Sequence, residues 1–117
     1  MATSTGEFEQ LILLAVMRLG DQAYGVEIRR LIEAETGREI SAGAVYTALN
    51  RLEQRGFVRS RVGETAPERS GQRRRYYRVQ PEGAAALHRT FRDVSRMAQP
   101  VLSALERLAQ RARPSRG

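Results

Sequence analysis

Several residue types that carry chemistry are missing or scarce in this sequence. There is no cysteine, which excludes a disulfide framework and a thiolate metal site. His88 is the single histidine, and no carboxylate pair stands at a spacing that would help it bind a metal or act as a general base. The glycines form no phosphate-binding fingerprint. We therefore expect neither an enzyme nor a protein that holds a metal or cofactor.

A long hydrophobic run is also lacking. The longest apolar stretch, residues 11–17, is far shorter than the roughly 20 residues that a membrane-spanning helix needs. No part of the sequence resembles a secretory signal. The 117 residues, 41% of them hydrophobic, suffice for one folded domain. We expect a cytoplasmic protein that has no membrane partner.

Positive charge is abundant and unevenly placed. The net charge is +7, and every cationic residue is an arginine because lysine is absent. The segment 51–78 holds nine arginines against three glutamates and so carries most of the excess. A concentrated basic patch is typical of proteins that bind a polyanion. Charge alone leaves duplex DNA, RNA and a membrane surface open.

Two helices are predicted in the first third of the chain. The first spans about 6–19 and is preceded by Ser4 and Glu7 at capping-box spacing. It is apolar almost all the way round, which indicates burial on two sides. The second spans about 24–36 and ends at Gly37, a residue type that favours the C′ position.

A third helix follows Ser41, which is a good N-cap, and ends before Gly56. Val45, Leu49 and Leu52 recur in it at helical spacing and form its inward face. Three short helices joined by tight turns predict a helix-turn-helix core.

The pattern then changes to the alternation that is typical of strands. Residues 57–62 and 73–79 each place successive side chains on opposite faces, and the polar connector 63–72 joins them. A hairpin with a long basic tip directly after a helix-turn-helix predicts a wing.

The rest of the chain, about 81–112, is predicted to be helical, with Pro81 at the first helical position. Apolar residues recur there at alternating separations of four and three, which is a heptad seam. The seam consists of Leu87, Phe91, Val94, Ala98, Val101, Leu105, Leu108 and Ala112. Pro100 lies off the seam and should kink or break the helix near Arg96.

The candidate DNA contacts lie on the third helix, at the start of the second helix and in the hairpin. A helix fits the major groove, where Asn pairs with adenine, Arg with guanine or phosphate, and a Thr methyl contacts thymine. The predicted set is Tyr24, Ser41, Ala42, Gly43, Tyr46, Thr47, Asn50, Arg51, Arg73, Arg74 and Arg75. The alternative is that Tyr46 is a half-buried packing residue, Asn50 an ordinary surface residue and the arginine run a solvated face.

The heptad seam predicts a homodimer, because a lone domain has too little apolar surface to cover it. If the seam of one copy packs against the first helix of the other copy, the contact explains why the seam is apolar. It also explains why the first helix is apolar on nearly all sides. The predicted interface is Phe8, Leu11, Ala15, Leu87, Phe91, Val94, Ala98, Val101, Leu105 and Leu108. The alternative for the seam is packing within one chain.

With these elements in place, the chain resembles the PadR family of bacterial transcription regulators over about residues 8–110. The resemblance lies in Leu14 with 19–20, then in 24–28 (YGVEI), 41–49 (SAGAVYTAL), 51–53, 56–58, 73–79 (RRRYYRV) and 81–83 (PEG). Thr47 departs from the family, which commonly has proline there, and Val94 stands in the stretch where some drug-binding members have a large aromatic residue.

The resemblance implies a winged-helix domain and a C-terminal dimerisation helix, with the short chain falling in the branch that has a single such helix. It also implies a repressor that binds inverted-repeat operators and is released by phenolic or drug-like ligands. A pocket for such a small hydrophobic effector would lie between Phe8, Leu11 and Ala15 on the first helix and Phe91, Val94 and Ala98 on the terminal helix. Carried over by position, it implies that Ser41, Gly43, Tyr46 and Thr47 lie at the DNA, with the arginines 73–75 on the backbone.

We therefore predict a mainly α fold with a small β-hairpin, in which 1–80 form a winged-helix DNA-binding domain and 81–117 a dimerisation element and tail. The predicted function is that of a homodimeric DNA-binding transcription regulator. The rival interpretation is a winged-helix adaptor that binds protein or RNA.

Overall fold

The computed structural model of the protein describes residues 6–65 and 71–112, which divide between two compact units, residues 1–87 and 88–117. The first unit contains helices α1 (Glu7–Leu19), α2 (Gly25–Thr36) and α3 (Ala42–Gln54), a hairpin of strands β1 (Val58–Thr65) and β2 (Arg73–Val79), and the first turns of α4 (Pro81–Ala98). The second unit contains the rest of α4 and helix α5 (Leu102–Arg111). The predicted fold class, mainly helical with one small hairpin, is confirmed.

The core of the first unit forms where the three short helices meet. Each helix contributes the apolar residues that recur at helical spacing on one face, as predicted for α3 from Val45, Leu49 and Leu52. The largest fully buried side chains are Ile12, Leu13, Ile28, Val45, Leu49 and Leu52. On α2, Ile28 and Ile32 are buried, whereas Val26 and Leu31 are only partly covered.

The helix ends follow the predicted capping chemistry at α2 and α3. The Ser41 hydroxyl accepts a hydrogen bond from the Ala44 N–H at 3.0 Å, and Gly37 adopts φ +72° while its N–H donates to the Glu33 carbonyl. At α1 the N-cap is Gly6, whose N–H donates to the Glu9 carboxylate at 3.4 Å. The capping box predicted from Ser4 and Glu7 depends on Ser4, which lies outside the described residues.

The hairpin is antiparallel, and its register pairs Val58 with Val79 and Val62 with Arg75. Between Val62 and Thr65 the register shifts, because β1 inserts an extra residue there and so forms a β-bulge. Gly63 lies in this bulge, and a Cβ on it would overlap the ring of Tyr76. Strand β1 ends at Thr65, three residues past its predicted end at residue 62. Residues 66–70 of the predicted connector lie outside the described residues.

Proline interrupts the terminal helix where the sequence predicts it. A 3-10 turn, Gln99–Val101, separates α4 from α5 and contains Pro100, which has no N–H to donate to the carbonyl one turn earlier. Pro81 begins α4 as predicted. Of the helices in the described ranges, none is long and apolar enough to cross a membrane.

Candidate nucleic-acid interface

Helix α3 and its N-cap present an exposed surface. Gly43, Thr47, Asn50 and Arg51 are exposed on the side of the helix opposite the buried core residues, and Ser41 and Ala42 are exposed at its N-terminal end. The small side chains are grouped at the N-terminal end, where the backbone itself is accessible. This arrangement is what a helix needs to approach base edges in a groove.

Tyr46 belongs to the same helix but packs differently from the prediction. It is half-buried, and its ring covers Gly25 so closely that a Cβ there would overlap the ring and the hydroxyl. The absence of a side chain at the start of α2 therefore lets Tyr46 anchor α3 to α2. Tyr46 is thus half-buried, as in the alternative interpretation, because the missing side chain at Gly25 leaves room for its ring.

The sequence analysis missed a basic groove beside Tyr46. Arg29 and Arg30 of α2 line it together with Glu33, Ala42 and Tyr46, and its volume is about 310 Å³. Arg29 Nε lies 3.6 Å from Glu33 Oε2, and Arg30 Nη1 lies 2.7 Å from Glu27 Oε2. The adjacent arginines of α2 were the available signal, but they fall outside the basic segment 51–78.

Tyr24 connects the start of α2 to the hairpin. It is the N-cap residue of α2, and its ring contacts Tyr76 edge-on with 5.4 Å between the ring centroids. The Arg74 guanidinium lies 4.3 Å from the Tyr24 ring centre, and the Arg61 guanidinium lies 4.6 Å from that of Tyr76. These cation–π contacts favour the observed positions of the two guanidiniums. Arg61 was not among the predicted contacts.

The arginine run of β2 is divided between the two faces of the hairpin. Arg74 shares one face with Tyr76, whereas Arg75 donates to the Ser60 hydroxyl at 3.1 Å on the other face. That hydroxyl in turn donates to the Glu53 carboxylate of α3 at 2.7 Å. Arg73 donates from Nε to the Gly63 carbonyl at 2.9 Å. The three arginines therefore do not form one surface, since side chains alternate along a strand.

The predicted interface residues fall into two groups. Ala15 and Leu87 are 2% and 5% exposed and belong to the core of the first unit, so they offer almost no surface to a partner. This corrects the prediction for both residues, because heptad spacing does not reveal which helix lies opposite. Phe8 and Leu11 are half-buried against the same core.

Most of the remaining interface residues are exposed. Phe91, Val94, Val101, Leu105 and Leu108 are between 46% and 63% exposed, and Ala98 is half-buried. From residue 88 to the end of the described chain no side chain is buried. The predicted effector pocket draws residues from both units and stays a prediction.

The residues that the structure describes contain no cluster of three or more histidine, aspartate or glutamate side chains that would hold a metal ion. His88, in the second unit, is exposed. The described site consists of the exposed face of α3, the Tyr24–Tyr76 ring contact and the two arginines that stack on those rings.

Comparison with known proteins agrees with this architecture. The Transcriptional regulator PadR-like family matches residues 13–89. A transcriptional regulator from Clostridium thermocellum is 30% identical, with 81% of this chain and 89% of that chain covered and a TM-score of 0.64. PadR family regulators from Clostridium difficile and Eggerthella lenta are 27% and 26% identical, cover 86% of this chain and 99% and 87% of theirs, and both give a TM-score of 0.63.

No curated protein sequence matches the chain. The family match covers more than half of the residues, and it includes α2, α3 and both strands of the hairpin. The family consists of transcription regulators rather than enzymes. The helix order, the hairpin and these matches lead to one conclusion: the chain belongs to the PadR-like family of transcriptional regulators.

Proposed function

We propose that this regulator is a homodimeric repressor that binds an inverted-repeat site in duplex DNA. The observation that carries the proposal is the exposed N-terminal half of α3 beside a hairpin whose arginines are held on tyrosine rings. In this arrangement α3 enters the major groove, and the hairpin holds the sugar-phosphate backbone.

The roles of individual residues follow from their chemistry. Asn50 and Arg51 pair with base edges or phosphate, and the Thr47 methyl contacts thymine. Tyr24 and Tyr46 position α3 and the hairpin relative to each other through their packing on Tyr76 and Gly25. The positive charge of Arg74 attracts the phosphates of the DNA backbone.

Dimerisation is supported by the second unit. α5 has only 10 residues, and a helix that short is marginal in water unless it packs against something. Its seam residues Leu105 and Leu108 are 55% and 63% exposed. A second copy would cover them through the heptad seam and would set two α3 helices about 10 base pairs apart, so that a palindromic site is selected.

The proposal is tested by measuring binding to duplex from the protein's own upstream region and to random duplex of equal length. Specific binding should be at least about 1,000-fold tighter than random binding at physiological salt. Equal affinities would overturn the proposal. Structured RNA added as a competitor separates it from the rival RNA-binding adaptor, since RNA should displace the duplex only weakly.

Gly43→Ala is expected to separate folding from DNA binding. No atom lies within 4 Å of a Cβ built on Gly43, so alanine should raise the free energy of unfolding by about 0.5–1 kcal/mol through helix propensity. The added methyl group should nevertheless lower DNA affinity, because it stands where the α3 backbone approaches the groove. Thermal unfolding and fluorescence anisotropy on the same variant check both halves. A variant that is more stable and binds as tightly as the wild type would remove Gly43 from the interface.

Arg74→Gln and Asn50→Ala are expected to act on different components of binding. Arg74→Gln should weaken binding to every sequence and reduce the slope of log affinity against log salt by about 0.9. Asn50→Ala should leave that slope unchanged and lower discrimination at one base pair by about 1–3 kcal/mol. Salt titrations on operator and single-substituted duplexes measure both quantities. Identical behaviour of the two variants would contradict this division of roles.

Release by a small hydrophobic effector forms the last part of the proposal. Its predicted residues are Phe8, Leu11 and Ala15 with Phe91, Val94 and Ala98. Ala15 is buried and contributes little to it. This part is tested by measuring the shift in Tm of the protein with a panel of phenolic and drug-like compounds. Compounds that raise Tm are then tested for their ability to release the protein from operator DNA. If no compound has either effect, the regulator acts without such a ligand.

A further inference from the structure

The Tyr76 face of the hairpin carries an arginine cluster that is separate from the 73–75 run. Arg59, Arg61 and Arg78 line a cleft of about 410 Å³ together with Tyr76 and with Gly20 and Asp21 of the turn after α1. We call it the arginine cleft. Its volume is within the range of small-ligand sites, which is roughly 300–1,000 Å³.

The charges in the arginine cleft are poorly compensated. Arg59 and Arg78 are direct partners across the two strands, and like charges in that position repel each other. Arg78 lies 3.4 Å from Asp21, but the two side chains are 77% and 81% exposed, so the pair is weak. Within the described ranges, Arg59 has no acidic partner at ion-pair distance. An oxyanion placed between the strands would offset this repulsion.

Arg61 is already held in position for such a ligand. Its guanidinium lies 4.6 Å from the centre of the Tyr76 ring, and Tyr76 is itself 5% exposed. The donors of a guanidinium lie in its plane, so stacking on an aromatic face leaves them available for two parallel hydrogen bonds to a phosphate. The stacking also reduces the side-chain entropy that binding would otherwise remove.

A chain of packed residues links the arginine cleft to α3. Tyr76 contacts Tyr24, Tyr24 caps α2, and the following residue, Gly25, lies under Tyr46 of α3. We propose that the arginine cleft binds phosphate groups through Arg59, Arg61 and Arg78. The phosphates belong to the backbone of the duplex bound by α3 or to a free phosphorylated molecule; only the first source rests on the proposed function.

The test compares Arg59→Gln/Arg78→Gln with the matched control Arg18→Gln/Arg38→Gln. Both double variants remove two charges from exposed arginines of the first unit. In the control, the arginines pair with Glu35 at 2.9 Å and with Glu7 at 2.8 Å, away from the arginine cleft. Two quantities are measured: the shift in Tm on adding inorganic phosphate at constant ionic strength, and the slope of log DNA affinity against log salt.

We expect Arg59→Gln/Arg78→Gln to abolish the phosphate-induced Tm shift, to reduce the salt slope by about 1.8, or both, while the control keeps both wild-type values. A reduced slope alone identifies the DNA backbone as the source, and loss of the Tm shift alone identifies a free phosphorylated ligand. Retention of both wild-type values would overturn the proposal. If the wild type binds no duplex, the proposed function is wrong. The Tm shift with inorganic phosphate still tests whether the arginine cleft binds phosphate.

Discussion

Leu105→Asp/Leu108→Asp is expected to convert the proposed dimer into monomers and to lower operator affinity by about 100- to 10,000-fold. The two leucines are 55% and 63% exposed and lie on the heptad seam of α5, so two charges there would be forced into the proposed helix contact. The affinity loss follows because a linked second half-site binds as an intramolecular event, and a monomer loses that advantage. Sedimentation equilibrium and anisotropy on the full operator measure the two effects.

The matched control is Ser103→Asp/Gln110→Asp, which adds two aspartates to α5 at exposed positions off the seam. It should remain dimeric and keep operator affinity within a few-fold of the wild type. A single half-site duplex adds a further test, since wild type and the leucine variant should bind it with similar affinity. A leucine variant that stays dimeric would place the subunit contact elsewhere.

Gly83→Val is expected to lower the free energy of unfolding of the first unit by about 3 kcal/mol, the upper end of the range for overpacking. Gly83 is buried in the first turns of α4, and a Cβ on it would overlap the carbonyl oxygen of Phe57. That carbonyl also accepts a hydrogen bond from the Gln80 N–H at 2.8 Å, so the clash pushes apart the segments that this bond joins. Since the obstacle is backbone, rotation of a side chain cannot relieve it.

Ala85→Val, at an exposed position in the same part of α4, serves as the control and should cost only about 0.5 kcal/mol through helix propensity. Chemical denaturation is compared at one protein concentration, because the stability of a dimer depends on concentration. Equal stability of the two valine variants would show that α4 can shift away from Phe57 at little cost.

Features determined by neighbouring residues were predictable from the sequence. The Ser41 cap, the Gly37 helix end, the buried stripe of α3 and the interruption at Pro100 each depend on residues within one or two helical turns. The bounds of β2 were also predicted correctly from its alternation. Such local signals were enough to order the elements of the fold.

Features that depend on contacts between distant segments were not predictable. Tyr46 packs on Gly25, Leu87 joins the core, and Arg61 stacks on Tyr76, yet no local period distinguishes these outcomes from exposure. The β-bulge at Gly63 likewise leaves no periodic signature before the partner strand is known. The candidate DNA contacts on α3 were named correctly as surface residues except for Tyr46, whereas the division of the arginine run required the observed register.

The stacked guanidiniums have a consequence for how binding can be switched off. Arginine keeps its proton throughout the physiological pH range, and the chain has no lysine that acetylation could neutralise. Arg61 and Arg74, which stack on Tyr76 and Tyr24, therefore keep their positive charge, and neither a fall in pH nor acetylation of lysine can remove it. Under the proposed function, release from DNA would therefore require a movement of the hairpin or dissociation of the proposed dimer.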